Sequence, residues 1–288
     1  MEMVHFIPPG QRRHALLAAQ TDTAPTLICG ASGTGKGAIA KWIHQNGPRA
    51  TKAFLMIDHN SSFIQSVAKA QGGTLVISEI GEWSLSEQLS ILHFLKSKTI
   101  PHPENPNMNQ ILNVRIIATT DQALEGRAQG GLFNSELLEH LNIFRIEMPP
   151  LSYRTEEFND IVMGIRGEIT RELHKEHLKN ISPIAWEKLK SYDWPGNLRE
   201  LRNVLKLAIL AAKGDQIELE DLPDFGHEKI DFRATREKFE KIYLIELLRS
   251  NEGDLEKTCK DAGMDQNTLL NKLRHYQINP AQFITEKP

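Results

Sequence analysis

Short apolar runs recur along the first half of the chain, each followed by residues at helical spacing. The runs are TLIC (Thr26 to Cys29), AFLMI (Ala53 to Ile57), TLVIS (Thr74 to Ser78), VRIIAT (Val114 to Thr119) and IFRIEM (Ile143 to Met148). Strands alternating with helical patterns give a parallel α/β sheet. Pro149-Pro150 closes this part. From Leu151 to Pro223 the pattern is helical, with one break at Trp194-Pro195-Gly196-Asn197. Asp224 to Lys229 reads as a linker. Three helical segments follow between Ile230 and Ile278, divided at Asn251-Glu252-Gly253 and at Ala262-Gly263-Met264. The expected division is therefore an α/β domain over 1–150, a helical domain over 151–225 and a smaller helical domain over 230–288.

The junction after the first strand carries candidate chemistry. Gly30, Gly33 and Gly35 break the chain, Lys36 follows, and Ile39, Trp42 and Ile43 begin a helix. Strand, glycine loop, lysine and helix is the layout of a phosphate-binding P-loop. Glycines let backbone N–H groups turn toward phosphates, the helix N-terminus adds partial positive charge, and Lys36 can reach the outer phosphates. The strict pattern places Ser or Thr after the lysine to hold Mg²⁺; this chain has Gly37. The expected nucleotide-binding set is Gly30, Ala31, Ser32, Gly33, Thr34, Gly35, Lys36, Gly37 and Ala38.

Composition narrows the rest. A net charge of −3 over 288 residues excludes a generally basic coat, so any nucleic-acid contact is local. Two distant cysteines, Cys29 and Cys259, make neither a disulfide framework nor a metal cluster. They read as small buried residues in a reducing cytoplasm. His174 and His177 lie three apart in a charged stretch and read as a solvated helix face. No signal peptide or membrane-length apolar run is present.

Five blocks, in order, resemble the central domain of bacterial enhancer-binding proteins of the NtrC type, an AAA+ family. GASGTGKGAIAKWIHQNGPRA resembles its Walker A segment and GGTLVISEIGE its Walker B block. VRIIATTDQAL resembles the sensor I strand, LNIFRIEMPPL the entry to the lid, and YDWPGNLRELRNVLKLAI the sensor II signature. The resemblance implies an α/β P-loop AAA+ domain with a parallel sheet, then an α-helical lid and an all-α helix-turn-helix domain. It also implies ATP or ADP as ligand, with Arg199 as the sensor II arginine and Asp121 at the sensor I position.

The departures from that family are specific. Its surface loop GAFTGA, which contacts sigma-54, belongs between the second strand and the Walker B strand; only Asp58 to Gln71 lies there. Walker B normally ends in Asp-Glu, with Asp ordering Mg²⁺ and Glu polarising the attacking water. Here the pair is Ser78-Glu79, which keeps the presumed catalytic base and leaves Ser78 to touch Mg²⁺ through a bound water at most. The family's two arginine fingers correspond to Asn134 and His140. The first twenty residues lead almost directly to the first strand and are expected to leave no room for a receiver or sensory domain.

Near the C-terminus, Phe239, Ile242, Tyr243, Leu244, Ile245, Leu247 and Leu248 cover a wide arc of one helix, which suits burial in its own domain and against a partner subunit. Two short helices joined through Gly263 follow, in helix-turn-helix layout. They resemble the Fis-type DNA-binding domain. Leu269, Leu270 and Leu273 are candidate core. Gln266, Asn267, Thr268, Asn271, Lys272, Arg274 and His275 are the candidate DNA-facing residues, with Lys272 and Arg274 assigned to phosphates. Asp254, Glu256, Asp261 and Asp265 oppose that reading, because they weaken attraction to phosphate.

The combined expectation is a cytoplasmic ATP- or ADP-binding transcriptional regulator that self-associates on pseudo-palindromic DNA, hydrolyses nucleotide poorly and does not remodel sigma-54. Two alternatives stay open. One is an active AAA+ ATPase working on sigma-54 RNA polymerase. The other is a non-catalytic partner that modulates an intact paralogue.

Overall fold

The computed structural model describes residues 6–101, 108–225 and 232–283, with backbone alone at 232–239, 242 and 281. The chain forms two compact units, Met1–Gly164 with Asp193–Leu201, and Ile165–Tyr192 with Arg202–Pro288.

In the first unit, five strands form one parallel sheet: β1 (Thr26–Gly30), β2 (Phe54–Ile57), β3 (Thr74–Ile77), β6 (Arg115–Thr120) and β7 (Phe144–Met148), in the order β2-β3-β6-β1-β7. Each expected run is a strand, with ends shifted by a residue. Successive residues of the central strands serve opposite faces. Leu27, Leu75, Ile77, Ile116 and Ala118 join one core, and Ile28, Val76 and Ile117 join the other. Side chains on a strand alternate with period two, so covering both faces demands unbroken apolar runs.

Helices α1 (Pro9–Gln20) and α2 (Lys36–Gln45) contribute to the second of these cores. Helices α3 (Phe63–Lys69), α4 (Leu85–Ser97), α5 (Leu124–Gln129) and α6 (Ser135–Leu141) contribute to the first. An antiparallel pair, β4 (Thr99–Pro101) with β5 (Asn109–Ile111), was not expected from the pattern. Its strands are three residues long, too short to show a period.

Two buried arginines hold the start of the sheet. The Arg115 guanidinium donates to the carbonyls of Ala18 and Thr21 at 2.5 and 2.9 Å. Arg49 donates to the carbonyls of Gly73 and Asn113, both at 2.9 Å, and to Asp22 Oδ1 at 2.7 Å. Each guanidinium satisfies carbonyls that would otherwise be buried without a partner.

The second unit contains most of α7 (Phe158–Glu172) and α9 (Asn197–Ala211), with α8 (Pro183–Lys190) between them in sequence. It is not purely helical: β8 (Asn180–Ile181) pairs in parallel with β9 (Gln216–Ile217). The reading of His174 and His177 as a helix face is also corrected. Helix α7 ends at Glu172, His174 takes φ 53°, and both histidines are exposed in the turn that follows. Lys175 in that turn donates to the carbonyls of Ile209 and Leu210 at 3.0 and 2.9 Å. A cation at unpaired C-terminal carbonyls stabilises a helix end.

Farther along lie α10 (Phe232–Ser250), α11 (Leu255–Ala262) and α12 (Gln266–His275). Gly263 joins the last two at φ 63°. Leu244 and Leu248 are buried with Leu269, Leu273 and Ile278, while Tyr243, Ile245 and Leu247 are half-buried. The described part of the apolar arc is thus largely covered within the chain; the side chains of Phe239 and Ile242 lie outside the described residues. Of the expected linker, Asp224 and Phe225 are described. Cys29 is buried, but Cys259 is only half-buried against the α10–α12 core, because that core is thin. Among the described residues no helix is long and apolar enough to cross a membrane.

His44, at the end of α2, is buried against Phe54, and its Nδ1 lies 3.0 Å from Thr74 Oγ1. Burial, reinforced by the Arg115 charge, holds its pKa below the ordinary 6.5. The neutral ring is the native form, so its stabilising contribution is complete above the unfolded pKa and is lost as pH falls below about 6.5. Urea unfolding between about pH 7.5 and pH 5 should show a shallower loss of stability for His44→Gln than for the unsubstituted protein. Equal slopes would show that the ring does not remain neutral in the fold.

Candidate functional site

The glycine loop emerges where β1 meets β7. A side chain at Gly30 would lie 2.4 Å from the Met148 carbonyl oxygen, so only glycine fits. Gly33 takes φ +81°, and a Cβ there would lie 2.1 Å from the carbonyl oxygen of Gly196. That second contact comes from the Trp194–Asn197 break, which belongs to the same unit. Trp194 and Asn197 each take φ 54°, and this turns the backbone against the loop. Asn197 Nδ2 donates to Ser32 O at 2.9 Å, its Oδ1 accepts from Leu151 N at 2.8 Å, and Arg199 N donates to Gly33 O at 3.2 Å. Glu200 accepts from Gly196 N at 2.8 Å and so steadies the turn.

Lys36 opens α2 and is 6% exposed. Its ammonium donates to Gly30 O at 2.6 Å and to Ala31 O at 3.4 Å, and it lies 3.0 Å from Glu79 Oε1. Glu79, just past β3, holds φ 45°. Its backbone N–H donates to Thr119 Oγ1 at 3.3 Å, and its Oε2 accepts from Asp121 N at 2.7 Å. One carboxylate therefore ties the loop lysine to the end of β6. Thr34 turns its hydroxyl inward to Ala31 O at 2.8 Å, while Ser32 is exposed. Gly37 borders Met56, whose Cε would lie 3.2 Å from a Cβ at that position. Gly35 and Ala38 flank the start of α2. The Arg199 side chain is exposed and has no ion-pair partner among the described residues.

A cavity of about 470 Å³ adjoins the loop, lined by Pro8, Gln11, Gly30, Ala31, Met148 and Pro150, among others. Burial, then the nearby Glu147 carboxylate, pushes the Cys29 thiol up to about 11, which leaves it an inert apolar filler.

The groups around Glu79 fit a magnesium ion poorly. Mg²⁺ takes octahedral oxygen ligands and uses one or two carboxylates beside the phosphates. Position 37 has no hydroxyl, position 78 has no carboxylate, and both Glu79 oxygens are already engaged. Ser78 is half-buried, and its carbonyl accepts from Trp83 Nε1 at 3.1 Å. No group of three metal-binding side chains occurs among the described residues.

Asn134 and His140 have local roles. Asn134 caps α6 by accepting from Leu137 N at 2.8 Å, and the His140 ring lies 2.9 Å from Glu136 O. On α12, Gln266, Asn267, Asn271, Arg274 and His275 are exposed. Two other candidates are committed elsewhere. The Thr268 hydroxyl donates to Asp265 Oδ2 at 2.6 Å, within the helix cap. Lys272 pairs with Glu240 of α10, and Tyr276 donates to the other oxygen of Glu240 at 2.5 Å. The Lys272 ammonium thus also serves the α10–α12 contact. Asp254 and Asp265, read above as obstacles to phosphate, are the N-caps of α11 and α12.

Residues 11–151 match the sigma-54 interaction domain, and residues 154–238 match the AAA+ ATPase lid domain. The chain carries a sigma-54 interaction AAA+ domain with its lid. It is homologous to NtrC-type activators. The regulatory protein AtoC of Escherichia coli is 29% identical over 90% of this chain and 64% of its own length. The alginate biosynthesis regulator AlgB of Pseudomonas syringae is 30% identical over 90% and 63%. The chain thus spans less than two thirds of these curated relatives. Crystal structures of NtrX from Brucella abortus in complex with ADP and with ATP superpose with TM-scores of 0.66 and 0.64 at 26% and 27% identity. The alignment with the ADP complex covers 93% of this chain and 68% of NtrX. Of the residues expected from the sequence of this sigma-54 interaction domain, the fold brings Lys36, Glu79 and the Arg199 backbone to the glycine loop. The sequence reading missed Asn197, which was visible only as part of the WPGN break.

Asn197 is 3% exposed, satisfies two distant backbone groups and holds a left-handed conformation that Asn tolerates better than Ala. Asn197→Ala should lower the stability of the unit by about 2–3 kcal/mol in a denaturant titration. A change under about 0.5 kcal/mol would mean that the turn docks without this side chain.

Proposed function

We propose that this chain is a DNA-binding transcriptional regulator, related to the sigma-54-dependent activators, that holds ATP or ADP as a conformational ligand. The observation that carries the reading is the convergence of the glycine loop, buried Lys36 and the Arg199 backbone on one loop, beside a cavity of about 470 Å³. The loop backbone from Gly30 to Gly35 with Lys36 receives the phosphates, and Arg199 reaches them from the start of α9. The NtrX complexes with ADP and ATP support the ligand class.

Hydrolysis is impaired in this reading. An arginine finger contributes about 10³ to 10⁵ in rate by neutralising charge on the transferring phosphoryl group. Asn134 and His140 stand at the finger positions, and Asn134 is consumed as a helix cap. Glu79 faces Lys36 instead of an open water position. With Asp58 to Gln71 too short for the family's sigma-54-contacting loop, the chain regulates without remodelling sigma-54. The active-ATPase reading draws on Glu79 at the position of the base. Steady-state turnover separates the two: about one ATP per second, abolished by Glu79→Gln, would establish an active enzyme. For binding, Lys36→Ala should weaken nucleotide at least about tenfold, or ~1.4 kcal/mol. Equal affinities, or no binding by the unsubstituted chain, would reject a nucleotide role for the loop.

The domain division proposed is 1–150, 151–225 and 230–288, the last being a helix-turn-helix that binds pseudo-palindromic DNA as a self-associated pair. Exposed Gln266, Asn267 and Asn271 are the base-reading candidates, and Lys272 and Arg274 the phosphate candidates, with His275 exposed beside them. In a random-sequence selection with the full chain, Asn271→Ala should relax preference at particular bases. Arg274→Ala should weaken all sequences alike and reduce the salt slope by about one. No selected motif at all would make these helices a protein-interaction module.

A further inference from the structure

Magnesium normally accompanies a P-loop nucleotide because the phosphates are multiply charged and the protein supplies a hydroxyl and a carboxylate to hold the hydrated ion. Neither group is present in this chain. Gly37 offers no side-chain oxygen where the strict pattern has the hydroxyl and the resembling family usually has Glu, and Ser78 stands where the carboxylate would be. Of the two hydroxyls inside the loop, that of Thr34 is spent on the Ala31 carbonyl at 2.8 Å and that of Ser32 is exposed. Glu79 is the nearest acid in the ladder of contacts. One of its oxygens faces the Lys36 ammonium at 3.0 Å, and the other accepts the Asp121 N–H at 2.7 Å. A metal bound by Glu79 would have to displace an ion pair and a charge-assisted hydrogen bond, and position 78 beside it offers a neutral serine.

Positive charge is available from the chain itself. Lys36 is already buried at the mouth of the loop. The Arg199 backbone is fixed to Gly33 O at 3.2 Å, and its side chain has no ion-pair partner among the described residues. An incoming phosphate competes with Glu79 for Lys36. We propose that the loop takes its nucleotide without a divalent cation, with Lys36 and Arg199 supplying the positive charge at the phosphates. This inference rests on the nucleotide-binding reading of the previous subsection.

The test is a titration of the full chain with fluorescent ADP, once in excess magnesium and once in a chelator. The two dissociation constants should agree within about twofold. A loss of about tenfold or more in chelator overturns the proposal. Absence of binding in both buffers overturns the nucleotide reading instead, so the two failures are distinguishable. Ser78→Asp returns the carboxylate. That protein should bind more weakly than the unsubstituted chain in chelator and recover by roughly tenfold when magnesium is added. A folded Ser78→Asp protein indifferent to magnesium would overturn the assignment of the metal deficit to position 78. The result for the unsubstituted chain stands whether or not the variant folds.

Discussion

The glycine loop is held from outside itself. A loop with this much glycine has a large conformational entropy to lose. Here the loss is offset by backbone contacts to a turn far along the chain: Asn197 to Ser32 O, Arg199 N to Gly33 O, and the close approach of Gly196 to Gly33. Gly33 is therefore glycine for two separate reasons, its positive φ and the carbonyl packed against it. The turn can approach so closely only because Trp194 and Asn197 adopt left-handed backbone conformations. Trp194, 2% exposed, buries its ring in the process.

Charge organises the next layer. Lys36 is nearly buried, and a buried ammonium needs partners. It finds two loop carbonyls and Glu79. Glu79 reaches across to the backbone after β6, so the loop, the end of β3 and the end of β6 share one hydrogen-bonded path. The family's chemistry at these positions rests on an acid that holds a metal and an acid that polarises water. Here Ser78 stands in the first place, and Glu79, in the second, faces Lys36.

Local capping matters equally in the C-terminal helices. Asp254 and Asp265 accept from the first turns of α11 and α12, and these contacts hold both carboxyls below the usual carboxylate range. Glu240 gathers Lys272 and Tyr276 on the inward side of α12. Residues that look interchangeable as polar positions on a helix thus divide into caps, interhelical ties and a free face.

What the sequence determined by itself was whatever repeats locally. Short runs of four to six mostly apolar residues marked the strands, and the spacing of Gly30, Gly33, Gly35 and Lys36 marked the loop, because strand period and glycine freedom act over a few neighbouring residues. The tertiary structure alone decided the roles of Arg49, Arg115, Lys175 and Asn197. Each binds main-chain carbonyl or amide groups tens of residues away, and a backbone partner carries no residue identity to read. The Lys272–Glu240 pair was unreadable for a related reason: helical position narrows where a side chain points, but only the fold places Glu240 within its reach. Cys259 and the β8–β9 pair followed the same rule, since a thin core and a two-residue strand leave no periodic trace.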